Sequence, residues 1–112
     1  METQINWEDF AKIDIRVGTI IDAQIFEKAR NPAYKVWIDF GGEGIKKTSA
    51  QITNLYDLNE LIGKQVLAVI NFPPKQIADF MSECLLLGAV GENKDVTLIS
   101  VDKPCENGLR IS

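Results

Sequence analysis

Alternation of apolar and polar residues, rather than helical periodicity, dominates this chain. Apolar residues at positions 13, 15, 17, 21, 23 and 25 recur with a period of two, which predicts a long first strand over 13–25. Gly18 interrupts it, and a glycine inside a strand marks a bulge or a bend. A long, bent first strand is what a small coiled barrel needs to serve both of its sides. Tyr34, Val36, Ile38 and Phe40 fall on one face of a second strand over 34–40, with Lys35, Trp37 and Asp39 on the other. Gly41-Gly42-Glu43-Gly44 reads as a hairpin turn into a third strand over 45–50. Residues 65–71 form the most apolar run and read as the most buried strand, stopped by Phe72-Pro73-Pro74. Strands over 81–90 and 96–101, joined by a hairpin loop over 91–95, complete the set.

Helical signals are few. Asn6 is placed to cap a short helix over 6–13, with Asp9 as its capping-box partner. Residues 57–63 suggest one helical turn closed by Gly63. Residues 26–33 read as a loop, and 75–80 as a turn or short helix. The order of strands and turns predicts an all-β fold. It is a five-stranded Greek-key barrel of the OB type, with a short N-terminal helix and a C-terminal extension. Residues 1–112 are expected to form one domain.

Composition narrows the chemistry. The 112 residues carry 12 Lys and Arg against 16 Asp and Glu, and no histidine. The missing histidine removes Ser-His-Asp and Cys-His activation and every imidazole metal site. The sequence has no glycine-rich phosphate loop and no metal-ligand cluster, so neither cofactor nor metal is expected. The chain is read as binding without catalysing, and not as an enzyme. Its acidic balance opposes generic nucleic-acid binding, which draws its non-specific affinity from phosphate neutralisation. A local basic patch stays open. Cys84 shares a strand face with Leu86 and reads as a buried structural thiol. Two distant cysteines without a C-x-x-C fit a reduced, cytoplasmic setting. Met1-Glu2-Thr3-Gln4 has no basic n-region and no apolar run after it, so no signal peptide is expected.

Two surfaces are candidates for binding. Lys28, Arg30 and Asn31 lie in the first loop, with Lys35 just beyond and Lys75 in the loop after the fourth strand. These two regions flank the ligand face of an OB barrel. With Trp37 they offer stacking and phosphate contacts; the alternative is a scatter of solvated lysines. Phe72-Pro73-Pro74, followed by Ile77 and Phe80, is the second candidate. Exposed, the rings form a rigid apolar platform for an extended peptide; folded inward, they plug the barrel end. Trp7, Phe10, Leu109 and Ile111 are candidates for a self-complementary homodimer contact, and Trp37 for a contact with a peptide or a partner subunit.

Asp14-Ile15-Arg16-Val17-Gly18-Thr19-Ile20 resembles the opening motif of the tRNA-binding-domain family. That family includes dimeric tRNA-binding proteins and the C-terminal part of many methionyl-tRNA synthetases. Residues 81–89 resemble the family's later strand motif. Residues 49–53 and 69–78 are similar to its export-related chaperone branch, CsaA. The resemblance spans about residues 8–111. It implies an OB-fold, homodimerisation and two ligand classes, tRNA and unfolded preproteins. Arg30, Asn31 and Ser82 match positions that face nucleic acid in the RNA-binding members. Cys84 and Leu85 stand where the family has Gly and Met, and Arg30-Asn31-Pro32-Ala33 replaces its usual loop; both departures match the chaperone branch. The resulting expectation is an export-related chaperone that binds unfolded preprotein segments through Trp37, Phe72, Pro73, Pro74 and Ile77. The alternative is a tRNA-binding protein that uses Lys28, Arg30, Asn31, Lys35, Lys75 and Ser82.

Overall fold

A computed structural model describes residues 3–112; Met1 and Glu2, which begin the segment read for a signal peptide, lie outside the described residues. Helix α1 (Trp7–Ala11) precedes β1 (Ile15–Ile25), β2 (Tyr34–Asp39) and β3 (Ile45–Ala50). Helix α2 (Leu58–Leu61) leads into β4 (Gln65–Val69). Five short strands follow: β5 (Lys75–Ile77), β6 (Phe80–Ser82), β7 (Leu85–Leu86), β8 (Gly88–Val90) and β9 (Val96–Leu98). The main sheet has the order β3-β2-β1-β4-β7, and β5-β6 and β8-β9 form separate hairpins. This is the nearly closed five-stranded barrel that the alternation predicts.

The long first strand does serve both sides. Residues 15–19 pair with β4, and residues 19–25 pair with β2. The break lies elsewhere than expected. The register slips between Ile20 and Asp22, so Ile21 is the bulged residue, and Gly18 is not. Gly18 is instead a point of close approach. A Cβ there would meet Ile38 Cγ2 at 2.5 Å and the Phe40 ring at 2.7 Å. The bulge also overturns part of the alternation. Ile20 is fully buried, whereas Ile21 and Ile25 face outward at 44% and 61% exposure.

The core gathers Ile20, Val36, Ile38, Phe40, Val66 and Ala68, with Leu61 of α2 packed among them. Both helix starts carry reciprocal caps. Asp9 N–H donates to Asn6 Oδ1 at 2.9 Å while Asn6 N–H donates to Asp9 Oδ2 at 3.1 Å. Asp57 and Glu60 repeat the arrangement in α2.

Three expectations for the C-terminal half need correction. Residues 75–80 hold a turn but no helix: β5 and β6 make a tight hairpin with Ala78 at φ 53° in its tip. The strand expected over 81–90 is broken into β6, β7 and β8. These pieces bond in turn to β5, β4 and β9, so no single straight strand can serve them all. The partner strand expected over 96–101 ends at Leu98.

The tail uses the side of β1 that β2 leaves free. Gly108 N–H donates to Val17 O at 2.8 Å, Val17 N–H to Leu109 O at 3.0 Å, and Ile111 N–H to Ile15 O at 2.9 Å. Arg16 and Asp14 hold this addition in place. Arg16 Nη1 donates to Gly108 O at 2.9 Å, and Arg110 Nη2 donates to Ala11 O at the end of α1. The opening motif is therefore used to fasten both ends of the chain to the barrel.

Candidate ligand-binding face

β3 lies at one edge of the main sheet, and β6 and β7 approach it across a seam. A single pair of backbone groups bridges it: Glu83 N–H donates to Lys47 O at 2.8 Å. Side chains supply other links. Lys47 N–H donates to Glu83 Oε1 at 3.0 Å, and the fully buried Thr48 hydroxyl donates to Cys84 O at 2.7 Å. Ser82 Oγ stands 3.0 Å from Thr48 Oγ1. Ser82 thus belongs to the seam as well as to the surface above it. Burial, aided by the negative charge of Glu83, pushes the Cys84 thiol up to about 12, so it stays neutral and inert at physiological pH.

A groove of about 340 Å³ opens over this seam. Phe72, Pro73, Lys75, Ile77 and Leu85 line it together with Thr48, Ser49, Ser82 and Cys84 of the seam. Phe72 is 54% exposed and Leu85 47%. The prolines fix the backbone that carries the Phe72 ring. Phe72, Pro73 and Ile77, expected to contact a peptide, therefore share a groove with Lys75 and Ser82, expected to contact RNA. Pro74 is exposed beside it and does not line it.

The other aromatic residue of this region goes inward. Phe80 is 6% exposed and forms a second apolar cluster with Phe26 and Ala33, outside the barrel. Trp37, on the outward face of β2, meets Phe80 edge-on at 6.1 Å between ring centroids. Ile77 packs against the same cluster. Trp37 is thus a half-buried support behind the groove and is not one of its lining residues.

Cations surround this cluster. Lys35 Nζ lies 5.0 Å from the Phe26 ring and 5.3 Å from the Phe80 ring, and Lys47 Nζ lies 5.2 Å from Phe80. Lys28, in the loop after β1, pairs with Asp79 at the tip of the β5–β6 hairpin at 2.9 Å. The shared hydrogen bond lowers the Asp79 carboxyl below the usual range and raises the Lys28 ammonium. Asn31 sits apart, in a small polar notch with Gln51, Asn54 and Lys94. Arg30 is exposed on the same loop.

Lys47, Phe26 and Asp79 belong to this face and were not singled out from the sequence. Lys47 was legible in principle. The hairpin at 41–44 sets Trp37 opposite Lys47, so both stand on the outward face. Asp79 carries no comparable signal, because only the tertiary approach of two loops gives it a partner.

The family described as "Putative tRNA binding domain" matches residues 15–110. This chain belongs to the tRNA-binding-domain family. Among curated relatives, the methionine–tRNA ligase of Nanoarchaeum equitans is 36% identical over 107 residues, covering 96% of this chain and 13% of that enzyme. A similar ligase from Methanosarcina acetivorans is 33% identical over 108 residues, again covering 96% of this chain and 15% of the enzyme. The chain thus spans about a seventh of the length of these relatives. Three solved structures match across their full length: two CsaA chaperones and, at 25% identity and a TM-score of 0.87, a MetRS-related protein from Pyrococcus horikoshii that covers 99% of this chain. Chaperone CsaA from Bacillus anthracis str. Ames is 48% identical with a TM-score of 0.94, covering 98% of this chain and 100% of that one. The CsaA chaperone protein from Picrophilus torridus is 51% identical with a TM-score of 0.90, covering 97% and 100%. Within the family, this chain is thus similar over its whole length to CsaA structures. It is similar to the ligases only over about a seventh of their length.

Proposed function

We propose that this protein is a non-catalytic, cytoplasmic chaperone of the CsaA type that holds unfolded segments of export-bound preproteins. The observation that carries the reading is the open groove over the barrel seam, where Phe72, Pro73, Ile77 and Leu85 present apolar surface on a rigid frame. Unfolded segments share exposed apolar side chains and an extended backbone, and a preformed apolar groove binds them with little ordering of its own. The full-length similarity to two CsaA structures supports the same reading.

A second copy of this chain completes the assembly in this proposal. Ile5 and Trp7 are 72% and 83% exposed, and Phe10, Ile13 and Ile111 border the apolar hollows beside them. These residues come from the two chain ends that the Asp14–Arg16 motif fastens together. A homodimer buries them and presents two grooves, so a long client gains avidity through effective concentration.

A second reading is tRNA binding on the same face. Lys35 and Lys47 beside the aromatic cluster, with Lys75 at the groove, support it, as does the family itself. Salt separates the two. Fluorescence anisotropy of an apolar, unstructured peptide should change little as salt rises, whereas tRNA affinity should fall steeply. Failure to bind such a peptide at any salt, with strong salt-dependent tRNA binding, would reject the chaperone reading.

A further inference from the structure

The charge on the ligand face is not all free to meet a ligand. Lys28 of the first loop reaches the β5–β6 hairpin, where Asp79 already occupies it at 2.9 Å. Both side chains are exposed, at 71% and 54%. A pair this open adds little to folding. The contact between the two loops does not depend on it, because Phe26 at the start of one loop packs on Phe80 beyond the tip of the other, 5.3 Å between ring centroids. The ion pair thus sits on a junction that apolar packing already holds. A carboxylate there presents to Lys28 the same anionic oxygens that a backbone phosphate would.

We propose that Asp79 is a specificity determinant that discriminates against polyanions: an RNA backbone gains Lys28 only by displacing the Asp79 carboxylate, whereas a neutral extended polypeptide in the neighbouring groove has no need to. This inference rests on the second reading, that the face binds tRNA. Lys35 and Lys47 stand over rings and, among the described residues, form no ion pair with a carboxylate, although the Asp79 charge also reaches Lys35. The face is left weakly, not strongly, attractive to RNA. Removal of one carboxylate should add about one phosphate contact.

Asp79→Asn keeps the size of the side chain and removes its charge. Binding of unfractionated tRNA should strengthen roughly threefold at about 50 mM salt, and the log–log salt slope should steepen by about 0.7–0.9. Affinity for the apolar peptide should stay as in the wild type. Lys28→Ala placed in the Asp79→Asn protein should cancel the gain, while Lys28→Ala alone should weaken tRNA binding, because it leaves the Asp79 carboxylate unpaired. Unchanged tRNA binding in Asp79→Asn, beside measurable binding by the wild type, would overturn the inference and leave the RNA reading standing. A gain that survives Lys28→Ala would also overturn it, since net charge alone then explains the effect. Absence of tRNA binding in every variant would remove the RNA reading and this inference together.

Discussion

Arg16 Nε donates to Asp14 Oδ1 at 2.6 Å, and through this contact one carboxylate organises both ends of the chain. Arg110 stands 3.8 Å from the same oxygen, and the Asp14 amide is held by Asn71, whose own amide reaches Lys12 O. The Arg16 hydrogen bond holds the Asp14 carboxyl below its ordinary value of 3.8. A depressed carboxylate contributes stability that is present above its unfolded value and is lost as pH falls through the folded one. Amide protection factors at Gly108 and Ile111 should therefore hold from neutral pH down to the ordinary carboxylate range. They should fall below that range, and Asp14→Asn should reproduce the fall at neutral pH. Unchanged protection in Asp14→Asn would mean that backbone pairing alone holds the tail.

Phe72→Ala should weaken binding of an unfolded client by ~2 kcal/mol, about thirtyfold. The melting temperature should hardly move, because Phe72 is more than half exposed. Titration calorimetry beside a thermal melt checks both halves. A variant that melts early, with client affinity per folded molecule intact, would place Phe72 among the structural residues.

Phe80→Ala should behave in the opposite way. Its ring is buried against Phe26 and Trp37, so truncation should cost roughly 3–5 kcal/mol of folding stability. Urea unfolding measures this directly. A loss below about 1 kcal/mol would show that the cluster outside the barrel is dispensable.

Trp7→Ala should shift the assembly toward the monomer, raising the dimer dissociation constant about thirtyfold if Trp7 anchors the contact. Sedimentation velocity across a dilution series reads it. Identical profiles for variant and wild type would send the search for the interface elsewhere on the surface.

Alkylation should distinguish the two cysteines. Cys84 is buried with a thiol near 12, so about one molecule in ten thousand carries the thiolate there at pH 8, while Cys105 is exposed. Mass spectrometry after brief iodoacetamide treatment should find Cys105 modified and Cys84 intact until denaturant is added. Early labelling of Cys84 would mean that the seam over β3 opens on that timescale.

Period and capping held where local sterics alone decide the outcome. The strand faces of residues 34–40 and the Asn6–Asp9 cap depend on neighbours within a few residues, and local sterics decide them. The bulge at Ile21 was not legible, since the alternation offered positions 21 and 25 and passed over position 20. The choice is made by β2 and β4, which pair with different halves of the same strand. Phe72 and Phe80 show the same boundary within the site. Both are aromatic and both border the same hairpin, yet one faces water and the other is buried. Pro73 and Pro74 mark the rigid segment in the sequence, but only the approach of the loop bearing Phe26 determines which ring it covers. The Asp14-to-Ile20 motif points to the family from sequence alone. Its physical task, pinning helix and tail, depends on contacts with residues 108–111.

The prolines beside the groove bear on a hazard specific to proteins that handle unfolded chains. A sheet edge with a continuous row of free amides invites an extended segment to add as another strand, and the added strand then offers its own edge to the next. Pro73 and Pro74 have no amide hydrogen, and Lys75, which opens β5, brings a charge to that edge. If the groove takes an unfolded segment as proposed, a chain lying along residues 72–75 is gripped by side chains but finds no ladder to extend. The grip would then end with one segment per groove, without seeding fibrous growth.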